Sequence, residues 1–306
     1  MRFVIAGASG FLGTTWRDHL AQQGHEVVRL VRHEAAGAHE SQWDPYTGRL
    51  DQAVVDGADV VACLSGAPLA HWPWTEAYKR TFTDSRVVTT RVLAEAVARS
   101  ERKPLLLAQN GIAGYGDRGD APLPEGADTD APTFMGRVTR AWQGATAPAA
   151  AGGARVVVMR TGVVLDRRVG ALKALRRVFL AGLGGPIGDG SQYFSTISTH
   201  DWLRAATYLA TNGTSSGVYN VSGPDPTTNA EFARTLGRLL RRPALVPVPA
   251  FVVDKLAGTV SSEVLNSTRV VPARLLEEGF AFDHPTLESR LVAALSDPSQ
   301  RPPATG

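Results

Sequence analysis

The sequence contains a single cysteine, Cys63, among its 306 residues. One thiol excludes an intramolecular disulfide and a metal site built from cysteines, so we expect Cys63 to be a buried structural residue. No apolar run reaches the length of about 18 residues that a membrane-spanning helix needs. The chain begins with a strand pattern and not with a cleavable signal, which predicts a soluble, cytoplasmic protein.

A strong charge of either sign is also missing. Lysine and arginine number 32 against 29 acidic residues, which gives a formal net charge of +3. The basic residues are scattered singly or in pairs, so no nucleic-acid-binding patch is indicated. Histidines and carboxylates show no metal-ligand spacing, and there is no Gly-x-Ser-x-Gly turn to present a nucleophilic serine. We therefore expect neither a nucleic-acid partner nor a metal site.

What is present at the start of the chain is a buried-strand pattern that leads directly into a glycine-rich turn. Residues 2–6 form the strand pattern, and glycines follow at positions 7, 10 and 13. Such a turn needs glycine to leave the strand sharply, to approach a pyrophosphate closely and to pack the next helix on the sheet. The N-terminus of that helix favours phosphate. We interpret the turn as a dinucleotide-binding loop formed by Gly7, Ser9, Gly10, Phe11, Leu12 and Gly13.

The end of the second strand pattern indicates which dinucleotide is bound. Residues 26–31 form this strand, and Arg32 follows at the position where NAD-binding chains carry an acidic residue. A guanidinium pairs with phosphate and stacks on adenine, so Arg32 favours NADP(H) over NAD(H). The alternative is a solvated arginine at a strand end.

Strand and helix patterns alternate through residue 165. Strands at residues 59–64, 104–109 and 155–160 are separated by helical patterns at 75–100 and 134–151. The alternation predicts an α/β fold with a Rossmann-like, doubly wound parallel sheet. In such sheets the carboxyl ends of the strands line the ligand crevice. The candidate cofactor site therefore also includes Leu64, Ser65, Gly66, Gln109 and Thr161, together with Arg86 on the first of the two helices.

The alternation becomes irregular after residue 165, which predicts a second structural unit. We expect an NADP-binding Rossmann core over residues 1–165 and a smaller α/β substrate lobe over residues 166–296. Residues 297–306, at the end of the chain, are predicted to be a disordered tail.

Sequence motifs shared with one family occur along nearly the whole chain, roughly from residue 1 to 293. They lie at residues 74–86, 114–119, 160–165, 182–188, 228–233 and 271–280. With these motifs the chain resembles the extended short-chain dehydrogenase/reductase superfamily, and within it the nucleoside-diphosphate-sugar epimerase-like proteins. The resemblance implies NADP(H) with Val164 as a further contact, a small-molecule substrate and a small C-terminal domain at about 247–293. It also favours a homodimer.

The resemblance further identifies the positions where catalytic residues are expected. Catalytic members of the superfamily use a Tyr-x-x-x-Lys pair and a serine, and this chain has Met135, Thr139 and Asn110 at those positions. Neither Met135 nor Thr139 performs the proton transfer of the tyrosine. Asparagine binds a carbonyl but is a poor acid or base.

A second departure from the group is the sequence at residues 196–198. The group typically has Trp-Ile-His, whereas this chain has Thr-Ile-Ser and a histidine two positions later. The candidate catalytic residues are Asn110, Tyr115 and Asp117. The candidate substrate-pocket residues are His71, Tyr193, Phe194, Ser198 and His200. The alternative roles are a packed loop tyrosine for Tyr115 and a turn-forming aspartate for Asp117.

These residues fit more than one function. The leading hypothesis is an NADP(H)-dependent oxidoreductase or epimerase-like enzyme that acts on a small organic carbonyl or alcohol. A second is a non-catalytic, NADP(H)-binding redox-sensing module, because the Tyr/Lys pair is missing. A third is a non-redox enzyme of specialised metabolism that catalyses a cyclisation, isomerisation or elimination, since a pocket with fewer polar groups suits an apolar substrate.

Overall fold

Parallel strands form the central layer of the structure, a computed structural model that describes residues 1–296. The predicted disordered tail, residues 297–306, lies outside the described residues. Within residues 1–296 the strands are β1 (Arg2–Ala6), β2 (Glu26–Val31), β3 (Glu40–Gln42), β4 (Val60–Cys63), β5 (Leu105–Gly111), β6 (Pro122–Leu123), β7 (Val156–Thr161), β8 (Val163–Leu165), β9 (Tyr193–Phe194), β10 (Thr196–Ser198), β11 (Gly217–Val221), β12 (Thr227–Thr228) and β13 (Arg269–Val270). Seven of them form one sheet in the order β3-β2-β1-β4-β5-β7-β11, and every neighbouring pair is parallel. The predicted Rossmann-like, doubly wound sheet is confirmed.

Helices cover both faces of this sheet. They are α1 (Phe11–Gln22), α2 (Gln52–Asp56), α3 (Glu76–Arg99), α4 (Phe134–Gly144), α5 (Ala147–Ala151), α6 (Gly170–Leu180), α7 (Thr199–Thr211), α8 (Asn229–Leu240), α9 (Ala250–Ala257), α10 (Ser262–Leu265), α11 (Ala273–Glu277) and α12 (Leu287–Leu295), with 3₁₀ turns at Ala113–Tyr115 and Gly258–Val260. Helices α3, α4 and α5 pack on one face, and α1 and α7 pack on the other. Among residues 1–296, no helix has the length and apolar character to cross a membrane.

Successive residues of β1 point to opposite faces of the sheet, and each face has its own apolar core. Phe3 is buried with Trp16 of α1 and Trp202 of α7. Val4, its neighbour in sequence, is buried on the other face with Leu93 of α3. Strands that are apolar on both faces are typical of a parallel sheet covered by helices on both sides. Cys63 is fully buried in the second of these cores, as we expected.

The sequence predicts one helix over residues 134–151, and the structure has two helices there. The prediction of a continuous helix was wrong. Helix α4 ends at Gly144, and α5 begins at Ala147 with Pro148 in its first turn. In a continuous helix the proline would donate no hydrogen bond to residue 144 and its ring would clash with that carbonyl group. In the first turn of a new helix the missing N–H group has no cost.

The chain returns to the central sheet after residue 165. Strand β11 pairs with β7 along its whole length, and α7 packs beside α1. The sheet that we predicted for residues 1–165 is therefore completed by elements from the predicted substrate lobe. The lobe has an apolar core of its own, in which Phe232 of α8 and Leu291 of α12 are buried.

Helix α12 is attached to the rest of the chain through a buried arginine. The Arg290 guanidinium donates hydrogen bonds to the carbonyl oxygens of Pro285 and Asp225, at 2.6 and 2.7 Å. Burial lowers the pKa of Arg290 to about 10. The hydrogen bonds compensate for part of the cost of removing this charge from water.

A substitution in the β1–α1 turn tests how closely α1 approaches the sheet. A Cβ atom at position 13 would lie 2.2 Å from the Gly7 carbonyl oxygen and 2.8 Å from the Ala8 Cα atom. Both are backbone atoms, which a side-chain rotation does not relieve. We expect Gly13→Ala to lower the free energy of unfolding by about 1–3 kcal/mol, measured by urea denaturation.

Gly144→Ala is the matched control for this substitution. A Cβ atom at position 144 meets no heavy atom within 4 Å, and the residue belongs to α4. Alanine is the better helix former, so the control should be neutral or more stable than the wild type by up to about 1 kcal/mol. Equal losses of stability in the two variants would contradict the steric explanation.

Candidate cofactor and substrate site

The carboxyl ends of β1 and β4 lie side by side at the point where the strand order reverses. From β1 the sheet continues to β2 and β3, and from β4 it continues to β5, β7 and β11 on the opposite side. The loops that follow these two strands leave in opposite directions, and open α/β sheets bind their ligands in the crevice between such loops. Ala6 of β1 pairs with Cys63 of β4, so residues 7–13 and 64–66 border the same crevice.

The glycine turn has the geometry that a pyrophosphate site requires. Gly7 has a φ of +81°, and a Cβ atom there would lie 2.6 Å from the Leu64 carbonyl carbon and 2.7 Å from the Ser65 nitrogen. At Gly10, by contrast, a Cβ atom would meet only the Gly7 carbonyl oxygen, at 3.4 Å. Helix α1 begins here with no side-chain cap and no acidic residue in its first turn. The N–H groups of the first turn are therefore available to an anion.

The other residues of the turn have separate positions. Ser9 is exposed at the crevice, and Leu12 packs against the core that covers the α1 face of the sheet. The ring of Phe11 lies under the Arg168 guanidinium, with 5.1 Å between the guanidinium carbon and the ring centroid. Arg168 itself forms an ion pair with Asp166. Phe11 therefore contributes its backbone N–H group to the turn, while its ring packs outside.

Two arginines border the crevice without a carboxylate partner among residues 1–296. Arg32 is exposed at the end of β2 and makes no hydrogen bond within the described chain. The guanidinium of Arg86 stacks on the Phe82 ring at 3.5 Å and donates to the carbonyl oxygens of Phe82 and Ala67, both at 3.0 Å. Burial lowers the pKa of Arg86 to about 10. A Cβ atom at Gly66 would lie 3.0 Å from this guanidinium, so Arg86 lies directly beside the β4 loop.

Farther along the strand ends, the predicted cofactor residues differ in what they offer a ligand. Gln109 donates to the Asn110 carbonyl oxygen, while its own amide oxygen is buried without a partner in the described chain. The Thr161 hydroxyl group accepts a hydrogen bond from the Trp202 indole and is held by the core. Val164 packs partly against the same core. Gln109 thus provides a free acceptor, whereas Thr161 and Val164 provide packing surface.

Met135 and Thr139, which the resemblance places at the Tyr/Lys positions, are packing side chains. Met135 is buried in an apolar cluster with Phe82 and Ala113. Thr139 is buried as well, and its hydroxyl group donates to the Gly136 carbonyl oxygen of its own helix at 3.0 Å. Neither side chain offers a group that transfers a proton at neutral pH.

Asn110 connects the end of β5 to α4. Its amide nitrogen donates to the Thr139 carbonyl oxygen at 3.0 Å, and its amide oxygen accepts from the Gly111 N–H group at 2.7 Å. The side chain is almost completely buried. The structure gives Asn110 the role of holding these two elements together, and the hypothesis that it is catalytic receives no support.

Tyr115 lies in the interior, and its predicted catalytic role receives no support from this position. The side chain has no exposed surface, and its hydroxyl group donates to Asn220 Oδ1 at 2.8 Å and accepts from Arg160 Nη1 at 2.9 Å. Burial raises the pKa of Tyr115, and the nearby Arg160 charge opposes this rise only in part. A buried hydroxyl group with both partners inside the protein does not contact a substrate.

Asp117 has the turn-forming role that was the alternative to catalysis. Its carboxylate accepts hydrogen bonds from the N–H groups of Gly119 and Ser267, at 3.2 and 3.4 Å. It therefore joins the loop after β5 to the segment before β13. No group of the crevice contacts it in the described chain, and its predicted catalytic role receives no support.

The predicted substrate-pocket residues do not converge on one cavity. His71 is exposed and stacks on the Tyr78 ring at 3.5 Å. Tyr193 lies beside the Arg269 guanidinium, and Phe194 makes an edge-to-face contact with Phe232 in the core of the second lobe. Neighbouring residues of a strand point to opposite faces, so Tyr193 and Phe194 do not form one wall. That these residues line a substrate pocket stays a prediction.

Ser198 and His200 line a separate cavity of about 180 Å³ beside α1 and α12. Ser198 is the N-cap of α7, where it accepts from the Asp201 N–H group at 3.0 Å, and it also bonds to His284 Nδ1 at 2.9 Å. His200 bonds to Asp283 at 2.7 Å. Both side chains attach the segment before α12 to α7, which explains why they are absent from the crevice.

His200, Asp201 and Asp283 place their ligand atoms within 4.8 Å of one another. Arg204 supplies positive charge to this group. The Arg204 guanidinium lies 3.0 Å from the Asp283 carboxylate and 3.5 Å from that of Asp201. Asp201 is fully buried, and its oxygens accept the N–H groups of Asp283 and His284. The group is an ion-pair network that stabilises the lobe, and we assign no metal to it.

One buried ionisable residue was missed by the sequence analysis. Glu263 in α10 makes no hydrogen bond or ion pair within the described chain, and burial raises its pKa to about 7. Val260, one turn earlier, packs on the apolar cluster of Met135 and Phe82. No local motif marks this glutamate, because its burial depends on a segment that is distant in sequence.

Two sequence-family models match the chain. The NAD dependent epimerase/dehydratase family matches residues 3–222, which include every strand of the central sheet. A domain of unknown function (DUF1731) matches residues 248–294, where we expected a C-terminal domain at about 247–293.

The chain is similar to known sequences over nearly its full length. Epimerase family protein ML0860 of Mycobacterium leprae is 37% identical over 298 residues, which cover 97% of this chain and 96% of that protein. Epimerase family protein SDR39U1 of Homo sapiens is 33% identical over 300 residues, which cover 95% of this chain and 98% of that protein.

The chain is also similar to solved structures over nearly its full length. The crystal structure of human epimerase family protein SDR39U1 (isoform 2) with NADPH superposes with a TM-score of 0.86 at 30% identity, covering 96% of this chain and 99% of that chain. The nucleoside-diphosphate sugar epimerase from Corynebacterium glutamicum superposes with a TM-score of 0.79 at 31% identity, covering 96% of this chain and 58% of that chain.

The raised pKa of Glu263 predicts a specific dependence of stability on pH. With a pKa of about 7 in the folded chain against an ordinary value of 4.5, the folded protein binds more protons than the unfolded chain between these limits. The stability contributed by this group is present below pH 4.5 and is lost as the pH rises through 7. From pH 4.5 to pH 8 the wild type should lose up to about 3 kcal/mol relative to Glu263→Gln, measured by urea unfolding.

Glu101→Gln, at an exposed position, is the control, and its difference from the wild type should not vary with pH. An NMR titration of the Glu263 carboxyl carbon supplies the direct measurement. A midpoint near 4.5 would contradict the assignment.

Proposed function

The chain belongs to the NAD dependent epimerase/dehydratase family, and on that basis we propose that it is an NADP(H)-binding, epimerase-like oxidoreductase that acts on a small organic carbonyl or alcohol. The observation that carries the proposal is the crevice at the reversal of strand order. It is bordered by open backbone space at Gly10, by an uncapped helix N-terminus and by two arginines that have no acidic partner within residues 1–296. This arrangement suits a ligand that carries several phosphate groups.

The choice of NADP(H) over NAD(H) depends on Arg32. An exposed guanidinium at the end of β2 suits a ribose 2′-phosphate, whereas NAD(H) would require a carboxylate there. The crystallisation of human SDR39U1 with NADPH supports the same choice. In this proposal Arg32 holds the 2′-phosphate, the first turn of α1 holds the pyrophosphate, and Arg86 adds positive charge beside the β4 loop.

The bound dinucleotide would supply or accept a hydride, and the chain must then move a proton at the substrate oxygen. The usual tyrosine position is occupied by Met135, so another group has to do this. We assign the role to Glu263, because its segment packs on the Met135 cluster and its pKa lies close to neutral. A group with such a pKa both donates and accepts protons efficiently at physiological pH.

A second candidate function is cofactor binding without hydride transfer. The close packing of Met135 and Thr139 favours it, because these residues seal the site where the superfamily performs its chemistry. A third candidate function is a non-redox reaction on an apolar substrate. The apolar cluster around Met135 would suit such a substrate. Hydride transfer separates the first proposal from the other two.

The cofactor assignment predicts the effect of removing Arg32. We expect wild-type protein to bind NADPH more tightly than NADH. Arg32→Ala should weaken NADPH binding by roughly 10- to 100-fold, which corresponds to the free energy of a charge-assisted hydrogen bond. Affinity for NADH should change little. Arg91→Ala, an exposed arginine on α3, is the control. Equal affinities of the wild type for NADPH and NADH, measured by fluorescence titration, would overturn the assignment.

Isotope transfer tests the reaction itself. The protein is incubated with NADPH deuterated at C4 of the nicotinamide and with a panel of small aldehydes and ketones, and the alcohols are analysed by mass spectrometry. We expect deuterium in at least one alcohol, with a rate that falls as the pH rises through 7, because reduction needs Glu263 protonated.

Glu263→Gln should lower this rate by about 100-fold or more while the Kd for NADPH stays unchanged. If NADPH binds and no alcohol carries deuterium, a binding module or a non-redox enzyme becomes the better description. If deuterium is transferred equally well by Glu263→Gln, the oxidoreductase proposal stands and only the proton-transfer role of Glu263 is lost.

A further inference from the structure

A groove of about 500 Å³ lies between the β7–β11 edge of the sheet and helices α4 and α5. We refer to it as the α5 groove. Its floor is formed by alternate residues of two paired strands, Val156 and Val158 of β7 and Val218 of β11. Ala147 and Ala150 of α5 form the opposite wall. These side chains make one end of the groove apolar.

The other end of the α5 groove is cationic. Arg160 follows Val158 on the same face of β7 and is only 6% exposed. Its guanidinium donates to Gln143 Oε1, to the Tyr115 hydroxyl group and to the Glu125 carbonyl oxygen. These partners are neutral, so they satisfy N–H groups without balancing the charge.

A second guanidinium lines the same end of the groove. Arg140 on α4 uses Nη1 for the carbonyl oxygens of Thr129 and Ala131, at 2.9 and 2.7 Å. The described chain provides no partner for its Nε and Nη2 atoms. These donors form the edge with which a guanidinium pairs with a planar anion.

Among residues 1–296, no acidic residue lines the α5 groove to balance these charges. The carboxylate of Glu125 is directed elsewhere, because it accepts the N–H groups of Asn220 and Arg274. Neither Arg140 nor Arg160 forms an ion pair with a carboxylate of residues 1–296. Charges that are partly removed from water in this way are normally paired.

We infer that the α5 groove binds a small amphipathic carboxylate, with its anionic group at Arg140 and Arg160 and its hydrocarbon part on the valine floor. A groove of this volume accommodates a small organic molecule. Carboxylate is the favoured anion because its two oxygens match the free edge of Arg140. None of the crevice residues 7–13, 32, 64–66 and 86 lines the groove, although Asn110, Tyr115 and Thr139 do.

The test compares one carbon skeleton with and without its charge. Binding of 4-phenylbutyrate and of 4-phenylbutan-1-ol is measured by isothermal titration calorimetry on the full chain. We expect the acid to bind at least about 10-fold more tightly than the alcohol, because only the acid makes charge-assisted hydrogen bonds. Equal binding of the two compounds, or no binding of the acid, would overturn the proposal.

Substitutions then locate the site. Arg140→Gln should weaken binding of 4-phenylbutyrate by roughly 10-fold or more, whereas Arg137→Gln, an exposed arginine one turn earlier on α4, should not. Ala150→Trp places a large side chain into the groove from an exposed position on α5 and should abolish binding. Unchanged binding in Arg140→Gln or in Ala150→Trp would overturn the location.

Further measurements separate this site from the cofactor site and from a general anion site. NADPH should bind the three variants with wild-type affinity, because their positions lie outside the dinucleotide crevice. If the wild type does not bind NADPH, this result would count against the proposed function but not against the α5 groove. Competition by inorganic phosphate at the same concentrations as the acid would overturn the assignment to an amphipathic carboxylate.

Discussion

The structure depends on a backbone contact that no side chain would allow. The turn after β1 packs against the turn after β4, and the start of α1 packs against the turn after β1, at distances where a Cβ atom at Gly7 or Gly13 would overlap backbone atoms. Through this contact α1 lies close to the sheet, and Trp16 reaches both Phe3 and Trp202 across the core. The same contact directs the uncapped N-terminus of α1 into the crevice. One steric constraint thus positions both the core of one face and the candidate phosphate site.

Charge balance separates the polar groups that stabilise the fold from those that face a ligand. The His200, Asp283 and Arg204 network contains both signs of charge and attaches the second lobe to α7. Arg32 and Arg86 at the crevice have no carboxylate partner in the described chain, and the arginines of the α5 groove have none either. A protein rarely leaves partly buried cations unbalanced without a use for them, because desolvation of a charge is costly. Arg86, Arg140 and Arg160, which are buried or half-buried, therefore indicate where anionic ligands are expected.

Several residues that the sequence suggested for the reaction site are used in packing and in buried hydrogen bonds. Met135 belongs to an apolar cluster, Thr139 bonds within its own helix, and Asn110 joins β5 to α4. Tyr115 is used in a buried network with Asn220 and Arg160. The proposed reaction therefore needs another group for proton transfer. We assign this role to Glu263 in the C-terminal segment, whose pKa is raised by burial.

The sequence by itself determined the parallel sheet, the glycine turn and the position of Arg32, because each depends on spacing within a few residues and on the period of a single element. It failed where a role depends on contacts between distant segments. Tyr115 bonds to a residue 105 positions away, and Ser198 to one 86 positions away, so neither could be recognised as structural from its local motif. The pKa of Glu263 and the unbalanced charge of the α5 groove were likewise decided only by the tertiary structure. Desolvation and charge pairing are set by which groups become neighbours in space, and the order of residues along the chain does not specify those neighbours.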